Sequence, residues 1–250
     1  MSRRVLAALA LGATLFGSAA LAAEGDLFPA LRVGLDRSGG PQDFTLTLQI
    51  VLLMTVLSLA PAIMMMLTSF TRIAIVLAFL RNAIGTPAVP PNQVMMGLAI
   101  FLTYFAMSPV INTIYDEAYQ PYSQGRITQV EAFERAKAPM HKFLIRHASE
   151  KDLAMFVKLS NAPRPRSPEE VSFTVLIPSF MVSELRTAFT MGFLVYIPFV
   201  IIDMTVASVL MSMGMFMLPP MMISLPFKLV LFVVVDGWSL LIGSLVKSAM

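Results

Sequence analysis

The sequence predicts an all-α protein of the integral-membrane type, built from hydrophobic helical hairpins with one small polar helical insert. Three observations carry this. Of the 250 residues, 57% are hydrophobic and 13% charged, and the mean hydropathy is +0.76, whereas a soluble domain carries about 25% charge and about 45–50% apolar residues. Uncharged runs long enough to cross a hydrocarbon layer, which takes about 20 helical residues, recur along the chain. More than half of the charged side chains fall between residues 111 and 172, so polarity is concentrated in one stretch.

Residues 1–22 read as a cleavable secretory signal peptide. Arg3 and Arg4 form a short positive region, Val5 to about Ala19 an apolar one, and Ala20-Leu21-Ala22 the small-x-small pattern of a cleavage site, placing the cut between Ala22 and Ala23. The alternative is a first anchor that stays. Loss of the two arginines would take two units from a formal charge of +3, leaving no basis for a nucleic-acid partner. The chain has no cysteine, which excludes disulfides, thiol catalysis and thiolate metal sites.

Residues 23–43, containing "DRSGGPQD", read as a loose periplasmic tail. Residues 44–115 read as a first hydrophobic hairpin. Phe44 to Thr71 carries no charge, with Pro61 expected to kink it; Arg72 and Arg81 follow, then the turn "GTPAVPPNQ"; Val94 to Tyr115 is a second uncharged run.

Residues 116–170 read as a polar helical insert. Thr128 with Glu131 forms a capping-box pattern, and Ser149 with Asp152 a weaker one. Ser167-Pro168-Glu169-Glu170 places a cap, a first-turn proline and two acids where a helix start favours them. Three short amphipathic helices are predicted, then one beginning near Pro168. Phe133, Met140, Phe143, Leu144, Leu153, Phe156 and Val157 would form a small core or cover neighbouring subunits.

Residues 171–250 read as a second hydrophobic hairpin, with helices over about 179–213 and 224–246 joined by a methionine-rich turn at 211–222. A cleaved signal sends the new N-terminus outward, and the only cationic short loop, Arg72 to Arg81, then falls on the cytoplasmic side, as the positive-inside rule prefers. The insert is expected outside and the methionine turn inside.

Glu184, Arg186, Asp203, Lys228 and Asp236 lie within apolar sequence. An unpaired charge at mid-bilayer costs at least about 2.5–3.5 kcal/mol, so these residues must pair, face water, or lie where there is no lipid. Asp203 with Lys228 across the last hairpin is one such pair. A proton or ion relay through Asp203 and Asp236 is the other use of the same charges. No catalytic constellation is legible, and no cofactor or metal site. An aspartyl dyad would need a water-accessible pocket. His141 and His147, six apart, fall on opposite sides of a helix and read as solvated surface residues. No glycine-rich phosphate loop occurs.

The stretch "MSMGMFMLPPMM" at 211–222 places Met211, Met213, Met215 and Met217 at every second position, the wrong period for one helix face. Met64, Met65 and Met66, consecutive on one helix, point three ways and read as packing.

"LTSFTRIAIVLAFLRNAIGTPAVPPNQVMMGLAIFLTYFAMSP" (67–109), "IPSFMVSELRTAF" (177–189) and "LPFKLVLFVVVDGW" (225–238) resemble the FliP family of flagellar type III secretion export-gate proteins, over nearly everything from residue 44 to 250. The signal and tail resemble its flagellar branch. The resemblance implies five copies assembled with four of a Q-type and one of an R-type export-gate subunit, alongside other export-apparatus proteins. They would form a helical, cone-shaped, closed gateway for unfolded flagellar substrates at the bacterial inner membrane and basal body. It also implies that the hairpins mostly pack on one another, the cone being raised toward the periplasmic side. The five charges would then face neighbouring subunits and water.

The resemblance assigns the turn between the last two helices to a methionine gasket in the channel. The matching positions are Met215, Phe216 and Met217, with Met213 just before. Methionine is unbranched, apolar and adaptable, so a ring of such side chains can exclude ions, gate by dewetting and deform around a passing chain. Phe216 departs from the family's usual methionine, and its bulk suits helix packing as well as the lumen. The expectation is a non-enzymatic subunit of a protein-export gate. The alternative is an ion-coupled small-solute transporter using Asp203, Lys228 and Asp236. A structural scaffold for other membrane subunits is a third reading.

Overall fold

The computed structural model describes residues 41–86, 89–160 and 165–250. The signal segment with Ala22 and Ala23, and the tail as far as residue 40, lie outside the described residues. Every regular element within them is helical: α1 (Pro41–Leu67), α2 (Phe70–Ile84), α3 (Asn92–Ile114), a π-helical turn (Tyr115–Tyr119), α4 (Gln120–Ser123), α5 (Gln129–His147), α6 (Glu150–Leu159), a 3-10 turn (Pro168–Glu170), α7 (Phe173–Ser212), α8 (Pro220–Val234) and α9 (Gly237–Ala249). The stretches Ile50–Leu67, Asn92–Ser123 and Phe173–Ser212 are each long and apolar enough to cross a membrane. α8 and α9 reach that length only together, across a 65° bend.

The chain divides into two units at Leu59–Ala60. Of the first, the described part is the beginning of α1, whose Val51, Leu52, Leu53 and Leu57 are exposed. The helix continues through Pro61 to Leu67. The uncharged run then breaks at Thr68-Ser69 instead of reaching Thr71, with the Thr68 hydroxyl accepting from the Phe70 N–H.

In the second unit α2 is the central strut. Ile73, Val76, Leu77, Leu80 and Ile84 recur at three and four residues and are all buried, giving one continuous apolar face. Against it pack Met95, Ala99 and Leu102 of α3, Ala188 and Phe199 of α7, Phe232 of α8, and Leu241 and Leu245 of α9. Arg72 and Arg81 therefore belong to a packed helix and not to a loop, and Arg72 is buried. The orientation argument loses its cationic loop for that reason.

A second core joins Met107 of α3, Phe143 and Leu144 of α5, and Val171, Val175, Leu176 and Phe180 at the start of α7. The insert thus borrows its core from the long helices, while Phe133 stays exposed under the Lys137 ammonium. Thr128 caps α5 by accepting the Glu131 N–H. Ser149 makes no side-chain cap, and the Asp152 carboxylate that would close the box is taken by Ser183 and Arg186, Ser183 also accepting the Ser149 N–H. Pro168 opens only a three-residue 3-10 turn, and the long helix starts at Phe173 after Ser172. His141 and His147 are half-buried, donating to the carbonyls of Val171 at 2.7 Å and Phe143 at 2.9 Å respectively. His141 meets Phe173 of α7 edge-on and His147 lies against Phe143 of its own helix, which removes both from the solvent that helix geometry alone assigned them.

Burial lowers the pKa of His147 from its usual 6.5, more than the bond to Phe143 raises it, and Arg72 and Arg146 add to the lowering. A depressed histidine leaves stability complete above pH 6.5 and withdraws it as pH falls toward the folded-state value, since the unfolded chain then binds the proton more readily. Protection of the α5 and α6 amides against hydrogen exchange, corrected for the slower intrinsic exchange in acid, is accordingly expected to fall between pH 7.5 and 5.5. In His147→Gln that extra acid sensitivity should vanish; its persistence would assign the effect to other groups.

Candidate functional site

The second hairpin departs from the predicted helices in its return arm, which starts earlier, at Pro220, and breaks at Asp236. α7 ends at Ser212 in a paired cap: the Gly214 N–H donates to the Met211 carbonyl at 3.0 Å and the Met215 N–H to the Leu210 carbonyl at 3.0 Å. This closure needs a left-handed residue just past the helix, and Gly214 supplies it at φ 75°. Pro219 and Pro220 then start α8, where a proline's missing N–H costs nothing. From the end of α7 to the double-proline start, residues 213–219 are non-helical, so Met213, Met215 and Met217 belong to a turn and not to a helix face, while Met211 lies in the last turn of α7.

The turn is apolar and unpacked. Met213 is 67% exposed, Met215 40%, Phe216 76% and Met217 96%. Phe216 does not enter the helix packing. Apolar side chains at such exposure mark a surface that is covered by another partner or lines an apolar passage.

The charges in the apolar arms are mostly taken up inside the chain. Glu184, fully buried on α7, receives the Arg72 guanidinium in a two-bond fork, Nε lying 2.9 Å from Oε2 and NH2 contacting Oε1. The same guanidinium donates to the Ser248 carbonyl, one of the orphan acceptors at the end of α9. Arg186 meets Asp152 of α6 at 2.5 Å, and Ser183 donates to the same carboxylate at 2.8 Å. Lys228 of α8, 2% exposed, lies 2.6 Å from Asp203 of α7. Asp236 stands apart: it sits exposed at φ 50° at the bend between α8 and α9, and its side chain makes no ion pair among the described residues. The helix predicted over 224–246 breaks at this residue.

Sequence reasoning missed Arg72, Asp152 and Ser224 as members of these sites. Arg72 and Asp152 carried the needed opposite charges, but one was assigned to a loop and the other to a helix cap. Ser224, which donates to Asp203 at 2.5 Å, gave no sign in the sequence.

Comparison with known proteins supplies the remaining finding. The family model described as the FliP family matches residues 53–245. The chain is 56% identical over 209 residues to a flagellar biosynthetic protein FliP of Pectobacterium carotovorum, covering 84% of this chain and 81% of the relative. It is 48% identical over 216 residues to that of Bacillus subtilis, covering 86% and 98%. With that of Caulobacter vibrioides it shares 54% identity over 200 residues, covering 80% and 75%.

Proposed function

The chain belongs to the FliP family, and on that premise we propose that it is a pore-forming subunit of the flagellar type III protein export gate. It acts without catalysis, in several copies with Q-type and R-type subunits, in the bacterial inner membrane. Unfolded flagellar subunits pass through a channel that the 213–217 turn closes. The observation that carries this reading is the turn itself: four large apolar side chains, three of them methionine, held out of the fold around a glycine cap and ahead of two prolines.

Apolar walls supply the chemistry of such a seal. A ring lined by thioethers and one phenyl group offers water no hydrogen-bond partner, so the narrow passage dries and ions are excluded. Unbranched methionine side chains re-pack at little cost, and no charge within residues 211–222 is available to hold a passing chain.

The transporter alternative requires Asp203, Lys228 and Asp236 to act together. Asp203 is engaged by Lys228 and Ser224, and Asp236 contacts neither, which favours the gate. In the assembled complex, replacing Met213, Met215 and Met217 together with alanine is expected to raise ion conductance at least tenfold in cells lacking export substrate. Native mass spectrometry verifies assembly. An intact complex that does not leak would sink the gasket reading.

A further inference from the structure

Lys228 of α8 has two partners, one on each of two other helices. Its ammonium donates to Asp203 of α7 at 2.6 Å and to the carbonyl of Ala83, in the last turn of α2, at 3.1 Å. Asp203 in turn accepts from Ser224 of α8, itself fully buried, at 2.5 Å. Gly85 closes α2 in the left-handed region at φ 87°, directly beneath the ammonium: a Cβ built on it would lie 3.8 Å from Nζ. Lys228 therefore neutralises a helix C-terminus as well as a carboxylate, both of which favour a cation.

Position gives this knot its meaning. Between Asp203 and Ser224 the hairpin tip has a single buried hydrophobic side chain, Leu210, whereas Met204, Met211, Met221 and Met222 are exposed alongside the turn. Along α7 and α8 the knot is thus the last polar tie before the turn, and little packing lies beyond it. We propose that Asp203, Ser224 and Lys228 are positioning residues for the methionine turn: they fix the register of α7 against α8 and anchor both to the end of α2, and so set where Met213–Met217 project. This rests on the turn being the seal.

Hydrogen exchange on the purified export-gate complex, read by mass spectrometry, tests the positioning separately from the seal. In Asp203→Asn and in Lys228→Met, amides of residues 204–223 are expected to exchange about tenfold faster. Those of 174–198 should stay within twofold of the unchanged protein. Asp203→Glu, which keeps the charge, should recover most of the protection. Ser224→Ala leaves both charges in place and should show a smaller acceleration of the same amides, which keeps the test open if a charge variant does not assemble. Unchanged exchange over 204–223 in the variants that assemble overturns the proposal, as does acceleration spread evenly along α7. Faster tip exchange together with an ion-tight methionine variant would keep the positioning role and discard the seal. A relay through Asp203 predicts lost transport with tip exchange unaltered, which would also overturn it.

Discussion

Glu184→Ala is expected to leave almost no folded protein in the membrane fraction. The substitution strands the Arg72 guanidinium, 4% exposed, without its carboxylate, and an uncompensated buried charge costs about 3–5 kcal/mol. That is a large part of the roughly 5–15 kcal/mol that holds a typical domain together. Arg72 also holds the Ser248 carbonyl, so any movement of the guanidinium loosens the end of α9. The double replacement Arg72→Met with Glu184→Met should recover most of the yield, because exchanging a whole buried pair for apolar side chains of similar volume is nearly neutral. The remaining deficit, about 1 kcal/mol, corresponds to the unpaired carbonyl. Yield and thermal midpoint in detergent measure both. A single variant that accumulates normally, or a double variant no better than the single, would show that the pair does not hold the fold.

The second large effect is expected at Gly192. A Cβ built there lies 2.7 Å from two ring atoms of Phe79 and 3.1 Å from the Phe79 Cβ, so rotating the ring cannot relieve the contact. α2 and α7 meet at this point, with Phe79 also edge-on to Phe189 at 5.7 Å. Gly192→Ala trades a helix-propensity gain of up to about 1 kcal/mol against overpacking of about 1–3 kcal/mol and should be mildly destabilising. Gly192→Val adds branching at the contact and should cost about 3 kcal/mol, with visible loss of folded yield. Phe79→Ala in the Gly192→Val background should restore part of it, although it is destabilising by itself. A double variant whose loss is the sum of the two singles would mean that the two residues do not meet.

The same two regions show what the sequence could and could not reveal. Membrane-type helices were legible because uncharged length is a one-dimensional property, and residues 92–114 and the core of α7 needed nothing more. The Thr128 cap was legible because its partner is three residues away. Arg72 was misread because burial is not local: within an apolar run a charge reads as a boundary until the carboxylate 112 positions later is known to face it. The break at Asp236 was hidden for a related reason. The Asp236-Gly237 dipeptide is the one turn signal there, and it was outweighed by the uncharged run Leu229 to Val235, which looks the same whether it continues or bends. At the methionine turn, period and glycine-proline punctuation suffice to place the turn, while its use came from resemblance and family membership.

The length of α7 has a mechanical consequence. Forty unbroken residues make a rod of about 60 Å, twice the roughly 30 Å of a hydrocarbon layer. About a third of the way along, Arg186 grips the insert through Asp152; the far end carries the methionine turn. A tilt of about 5° around the first turn of such a rod carries its far end through roughly 5 Å, about the reach of one side chain. Pro178 and Pro198 are the two places where the rod can flex. A rod of this length therefore turns a small change of angle at its insert end into a displacement of side-chain size at the methionine turn.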